Sequence, residues 1–118
     1  MNNTPLESEE QKTFVEYLKL KKIKHSAIPN STFTRSWKQK MNNKLMGVNA
    51  GLPDLLLIIK DRLVFIEMKR AKGGKISNAQ ESWINCLNKC NGVNAYVCYS
   101  CDEAMNLVEE LNNLYENM

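Results

Sequence analysis

Asp54, Glu67 and Lys69 are the residues of this chain whose types and spacing could do chemistry. Asp54 closes the string Gly51-Leu52-Pro53-Asp54, and Glu67-Met68-Lys69 follows after two short apolar runs. Converging carboxylates can hold a hard divalent cation such as Mg²⁺ or Mn²⁺, which prefers oxygen ligands and keeps several waters. Such a cation polarises a phosphate oxygen and makes bound water a better nucleophile. A lysine beside it can orient that water or stabilise charge gathering on the phosphoryl oxygens, and the Met68 carbonyl is a further available ligand. The same residue types at strand ends also form ordinary surface ion pairs, which contribute little. Everything turns on whether the chain brings them together.

The apolar runs 55–59 and 63–66 are too short for helices and are split by Lys60-Asp61-Arg62, so they read as two strands of a hairpin. A two-residue Lys60-Asp61 loop sets Ile59 opposite Arg62 and, by the same register, Asp54 opposite Glu67. Directly opposed residues hold their Cβ atoms roughly 4.5–5.5 Å apart, close enough for two carboxylates to share one cation. Period-two alternation puts Lys69 on the face of Glu67 and Met68 on the other. Lys-Asp is not one of the Asn-Gly or Asp-Gly pairs that favour tight turns, and a different loop would take the acids out of direct opposition. Leu56, Ile58, Leu63 and Phe65 fall on the acid-bearing side; Leu55, Leu57, Ile59, Val64, Ile66 and Met68 fall on the other. A sheet apolar on both faces is expected to be covered on both.

Helices must supply that cover. One is expected over residues 5–20, with Thr4 as cap, Pro5 at the first position, and Glu7, Glu9 and Glu10 favourable in the first turns. Phe14, Val15 and Leu18 share a face that also carries Gln11 and Glu7, so Glu7 continues the core-facing stripe, although it could equally be a solvated partner of the helix dipole. Ser77 can cap a second helix from Asn78 to about Cys90, striped by Trp83, Ile84 and Leu87 with Gln80 one turn earlier. A strand over 95–99 and an amphipathic helix over 102–115, carrying Ala104, Leu107, Val108 and Leu111, complete the pattern. Residues 25–28 read as a short strand.

At 118 residues the chain fits one domain, residues 1–118, and its 43% apolar and 25% charged content is ordinary for a globular protein. Neither a membrane-length apolar segment nor a basic-then-apolar leader is evident, so a cytoplasmic setting is the expectation. The net charge of +3 conceals an asymmetry: residues 1–75 hold fifteen Lys/Arg against seven Asp/Glu, and residues 76–118 hold one against six. A basic surface beside acidic site residues suits a polyanion such as DNA, although a solvated basic face explains the charge as well. The basic residues Arg35, Lys38, Lys40 and Lys44 surround Trp37 in a stretch read as a partly helical flap, able to grip a phosphate backbone and stack on a base. Trp37 fits a core plug equally well. Arg70, Lys72 and Lys75 form a second basic loop around Gly73-Gly74.

Taken in order, several segments resemble the VRR-NUC (virus-type replication-repair nuclease) branch of the PD-(D/E)XK nucleases. These are Glu7-Ser8-Glu9-Glu10-Gln11, Ile28-Pro29-Asn30, Gly47 through Asp54, Glu67-Met68-Lys69, Gly73-Gly74-Lys75-Ile76-Ser77 and Gln80. The resemblance implies an α/β fold with a central mixed sheet flanked by helices. It implies Asp54 and Glu67 as metal ligands, Lys69 as the catalytic lysine, Glu7 as a further acid near the metal, and Gln80 as a helix residue facing the site. Glu9 and Glu10 also offer carboxylates; the shared face favours Glu7. The activity implied is metal-dependent (Mg²⁺ or Mn²⁺) endonucleolytic hydrolysis of branched DNA such as four-way (Holliday) junctions by a homodimer, with DNA repair or recombination in a viral or mobile-element setting. A DNA-binding module of the same fold without catalysis, or an RNA nuclease, are the alternatives.

No dinucleotide fingerprint, P-loop or serine nucleophile elbow is present, so neither a small-molecule organic cofactor nor a membrane partner is expected. Cys86, Cys90, Cys98 and Cys101 have spacings that could form a zinc site, but Cys98 lies inside a strand pattern, where a buried apolar thiol is the commoner role. His25 has no second histidine to share a metal.

Overall fold

The computed structural model describes residues 6–29 and 36–118. The elements run α1 (Glu7–Leu20), β1 (Lys24–Ala27), α2 (Trp37–Leu45), β2 (Leu55–Ile59), β3 (Arg62–Met68), α3 (Asn78–Asn88), β4 (Val93–Cys98) and α4 (Cys101–Glu116). The strands form one mixed sheet in the order β1-β2-β3-β4: the first two pairings are antiparallel and β3 pairs with β4 in parallel. The architecture is therefore the expected helix-flanked mixed sheet.

The β2–β3 register is the one read from the sequence, with Ile59 opposite Arg62 and Leu55 opposite Ile66. Lys60 (φ 49°) and Asp61 (φ 68°) are both left-handed, the backbone that lets a two-residue loop join strands of native twist. Burial fixes this register. Leu55, Leu57, Ile59, Val64, Ile66 and Met68 are all at most 2% exposed, and each such side chain contributes roughly 1.5–3 kcal/mol relative to solvent. A slip of one residue would turn all of them to water, far more than an unfavourable turn pair costs.

These side chains meet Phe14 and Leu18 of α1 and Ala104, Val108 and Leu111 of α4 in a single cluster. Tyr17 and Lys21 join α1 to α4: the Tyr17 hydroxyl donates to Glu109 at 2.6 Å, and Lys21 Nζ lies 2.9 Å from the same carboxylate. Helix α1 starts at Glu7, with the Leu6 N–H donating to Glu9 Oε2 at 3.3 Å; the expected cap Thr4 and first-turn Pro5 lie outside the described residues.

The opposite face is covered only in part. Helix α3 connects β3 to its parallel neighbour β4 and packs on β4, and eleven residues do not reach across the sheet. Ile58 and Leu63 consequently remain 45% and 38% exposed, where the sequence reading expected cover. Strand β4 is an edge, and Asn88 closes it: its amide accepts the Ala95 N–H at 2.7 Å and donates to the Ala95 carbonyl at 3.0 Å, taking the place of a neighbouring strand. Strand β1 spans 24–27 rather than 25–28, and the Ile28 N–H donates to the Asp54 carbonyl at 2.8 Å. Both ends of the excursion that contains α2 are thereby rooted beside Asp54.

Candidate active site

Asp54 lies just beyond the last β2–β3 pair, where the strands part and side chains can turn into the gap. Its Oδ2 accepts the Met68 N–H at 2.8 Å. N–H and C=O of one strand residue point to the same side, so the Met68 carbonyl also faces the Asp54 side of β3. Glu67 and Lys69 lie on the acid-bearing face, 2% and 6% exposed, with Lys69 Nζ 3.5 Å from Glu67 Oε2. The Lys69 N–H donates to the Cys98 carbonyl at 2.9 Å, continuing the parallel ladder past the end of β3 and fixing the lysine's direction.

Gln80 comes to the same carboxylate from α3. Its Nε2 donates to Glu67 Oε2 at 3.1 Å, while its Oε1 accepts the Ser77 N–H at 2.9 Å and Ser77 Oγ accepts the Gln80 N–H at 3.1 Å. The reciprocal cap is written in the sequence as Ser-x-x-Gln, a signal that adds a helix-capping duty to the site role expected of Gln80. Two glycines bring the helix and the following loop close. A Cβ on Gly51 (φ +102°) would lie 2.7 Å from the Ala79 carbonyl carbon, and one on Gly74 would lie 2.8 Å from the Arg70 carbonyl oxygen.

Burial pushes the Glu67 carboxyl up from its ordinary 4.5 to about 8; the Asp54 carboxylate adds to the rise, and Lys69 pulls the other way. The buried Oε1 of Glu67 has no hydrogen-bond partner. A buried, partnerless oxygen beside a second acid, with the other oxygen held by an amide and an ammonium, is a donor set suited to a divalent cation. The residues present fit Mg²⁺ or Mn²⁺.

The remaining expected site residues divide. Among the described residues no three Asp, Glu, His or Cys side chains converge as a metal-holding group, so Glu7, half-buried on the first turn of α1, does not stand as a third ligand beside Asp54 and Glu67 here. Its neighbours have other work: Glu10 Oε2 accepts the Cys101 N–H at 2.6 Å, satisfying the start of α4, and Glu9 bonds Leu6. The Glu10 contact had no sequence signal, being made between helices distant in the chain. Trp37 is 74% exposed on α2, which excludes the core-plug reading, and Lys38, Lys40 and Lys44 are exposed on the same helix. Arg35 lies outside the described residues. Lys72 and Lys75 are exposed, and the Arg70 Nε is buried with no partner.

The four thiols are not drawn together: Cys86 on α3 and Cys90 just past its end are exposed, whereas Cys98 and Cys101 are buried. Burial raises the Cys98 thiol to about 12, as expected of an apolar core position. His25 Nδ1 is 2.7 Å from the Ile23 carbonyl, a structural bond.

A helix-flanked mixed sheet with two acids and a lysine at the end of its hairpin is the arrangement of the PD-(D/E)XK nuclease type, to which the matching family model points. More particularly, the chain belongs to the VRR-NUC domain family, whose model matches residues 2–102. A solved structure described as a VRR_NUC domain protein is similar at a TM-score of 0.75 and 25% sequence identity, over 92% of this chain and 89% of its own. No curated protein matches the chain. Among the described residues no helix is long and apolar enough to cross a membrane.

Proposed function

We propose that this domain is a divalent-metal-dependent endonuclease that hydrolyses phosphodiester bonds in DNA, preferring branched molecules such as four-way junctions and acting as a homodimer. The observation that carries the reading is the partnerless buried Oε1 of Glu67, set beside Asp54 and braced by Lys69 and Gln80. Asp54, Glu67 and the Met68 carbonyl would hold Mg²⁺ or Mn²⁺, with Glu7 reaching the cation or its waters only when substrate is bound. When bound, that cation supplies Lewis acidity toward a phosphate oxygen and toward water. Lys69 directs its ammonium protons to the phosphoryl oxygens, where negative charge builds as the attacking oxygen bonds to phosphorus and the ester oxygen leaves. Gln80 keeps Glu67 Oε2 turned away from the cation side. The exposed Lys38, Lys72 and Lys75 neutralise backbone phosphates, with Arg35 expected to join them, and a phosphate oxygen would satisfy the orphaned Arg70 Nε.

A panel of labelled duplex, single-stranded, flap and four-way-junction DNA together with RNA, incubated with Mg²⁺, Mn²⁺ or EDTA, tests this. Metal-dependent cutting with a preference for branched DNA is expected. Binding with no cutting would favour a catalytically inactive DNA-binding module, and cutting confined to RNA would reassign the substrate.

A further inference from the structure

Helix α2 is a nine-residue helix with no buried residue. Isolated helices shorter than about 12–15 residues are marginal in water, so one this short needs a packing partner. Among the described residues it has no substantial packing against the other elements, and the radius of gyration, 15.3 Å, exceeds the roughly 13.5 Å of a compact chain of this length. Yet α2 is amphipathic. Trp37, Met41 and Leu45 recur at every fourth position and are 74%, 40% and 82% exposed. Lys38 flanks this stripe on one side and Lys40 and Lys44 on the other, with no acid in the helix. A surface that covers it must be apolar in the middle and acidic along a margin that faces the lysines.

The chain carries such a surface elsewhere. Between α4 and the edge strand β4 lies a groove of about 360 Å³, floored by Tyr96, Val97 and Leu107 and bordered by Glu103, Asn106 and Glu110. Glu103 and Glu110 are exposed, and no lysine or arginine lines the groove. Seven residues apart, Glu103 and Glu110 share the α4 margin of the groove, and Lys40 and Lys44, four apart, share one flank of the α2 stripe. Pairing α2 with α2 of a second copy would instead oppose three lysines to three lysines, which like-charge repulsion disfavours.

We propose that α2 of one copy docks in the α4–β4 groove of a second copy, and that a two-fold axis makes the exchange reciprocal. This rests on the homodimer of the preceding section and assigns its contact surfaces. Trp37, Met41 and Leu45 fill the groove, and Lys40 and Lys44 meet Glu103 and Glu110. Because the α2 excursion is rooted beside Asp54, the exchange ties each active site to the partner's C-terminal helix.

Sedimentation velocity on the full chain tests the interface through a charge exchange. The double variants Glu103→Lys/Glu110→Lys and Lys40→Glu/Lys44→Glu, all at exposed positions, should each lose the dimer boundary, and mixing the two should restore it, since both contacts of the mixed pair are again complementary. Restoration also excludes misfolding as the cause of the losses. Variants that stay dimeric, or a mixture that stays monomeric, would overturn the interface alone. A monomeric wild-type protein at every concentration would overturn the dimer as well, while cleavage by the single domain is read separately.

Discussion

Gln80 holds Glu67 with one end of its side-chain amide and the start of its own helix with the other: Nε2 lies 3.1 Å from Glu67 Oε2, and Oε1 accepts the Ser77 N–H at 2.9 Å. Gln80→Ala removes both bonds. The expected cost is about 1 kcal/mol of stability from the lost cap and roughly a 10–100-fold loss of metal affinity or cleavage, typical of an outer partner to a ligand. Ser77→Ala removes the Oγ acceptor of the cap and leaves the Gln80–Glu67 bond in place. It should lower the melting temperature and keep the metal affinity, which thermal denaturation and Mn²⁺ titration on the same samples would separate.

The raised Glu67 pKa has a defined sign. Between 4.5 and about 8 the folded protein holds a proton that the unfolded chain has released. In the absence of metal, the stability tied to this group is therefore full below 4.5 and is lost as pH rises to about 8. A cation must displace that proton, so Mn²⁺ affinity should weaken with falling pH below 8, by up to about tenfold per unit. Calorimetry in two buffers of different ionisation enthalpy should find proton release on binding. Glu67→Gln should flatten the pH dependence of urea unfolding and remove Mn²⁺ binding.

Glu7 and Glu10 should differ in kind. Glu10→Ala strips the partner from the Cys101 N–H, and a lost hydrogen bond to a charged group costs roughly 1.5–3 kcal/mol. Glu7→Ala touches no packing or capping contact seen here and should leave stability within about 0.5 kcal/mol while slowing cleavage. Urea midpoints and cleavage rates for the two variants check both.

The glycine of Gly51-Leu52-Pro53-Asp54 is there for a close approach as well as for its backbone. Gly47 and Gly51 both have positive φ, but a Cβ meets nothing within 4 Å at Gly47 and lies 2.7 Å from Ala79 at Gly51. Gly47→Ala should cost about 1–2 kcal/mol from backbone strain alone. Gly51→Ala should cost more, and it should also reduce cleavage, because it displaces the helix turn that carries Gln80. Paired urea titrations and cleavage rates give the difference.

What the sequence made legible follows from which forces are local. Alternation along Leu55 to Met68 reported the buried face directly, so register and the meeting of Asp54 with Glu67 could be read despite a Lys-Asp turn with no glycine. The segment around Trp37 was readable as basic and partly helical, yet its exposure depends on the rest of the chain failing to reach it. The extent of α3 over the sheet, the Glu10 bond to α4 and the Asn88 plug on β4 join residues far apart in space or in register, and no short-range pattern encodes them. Gln80 was legible as a residue facing the site. Its second duty lay in a Ser-x-x-Gln signal that a reading for apolar stripes alone passes over.

The central claim is that Asp54, Glu67 and Lys69 form one hydrolytic site. Its most direct test is the cleavage rate of a labelled four-way junction in Mg²⁺ or Mn²⁺ by wild type, Asp54→Asn and Lys69→Met, with folding and junction binding measured on the same preparations. Asn can still accept the Met68 N–H, and Met fills the buried Lys69 position, so both variants should fold and bind DNA. Wild type should cut only with metal, and both variants should lose cutting altogether. Cleavage retained by either folded variant, or wild-type cleavage in EDTA, would contradict the account.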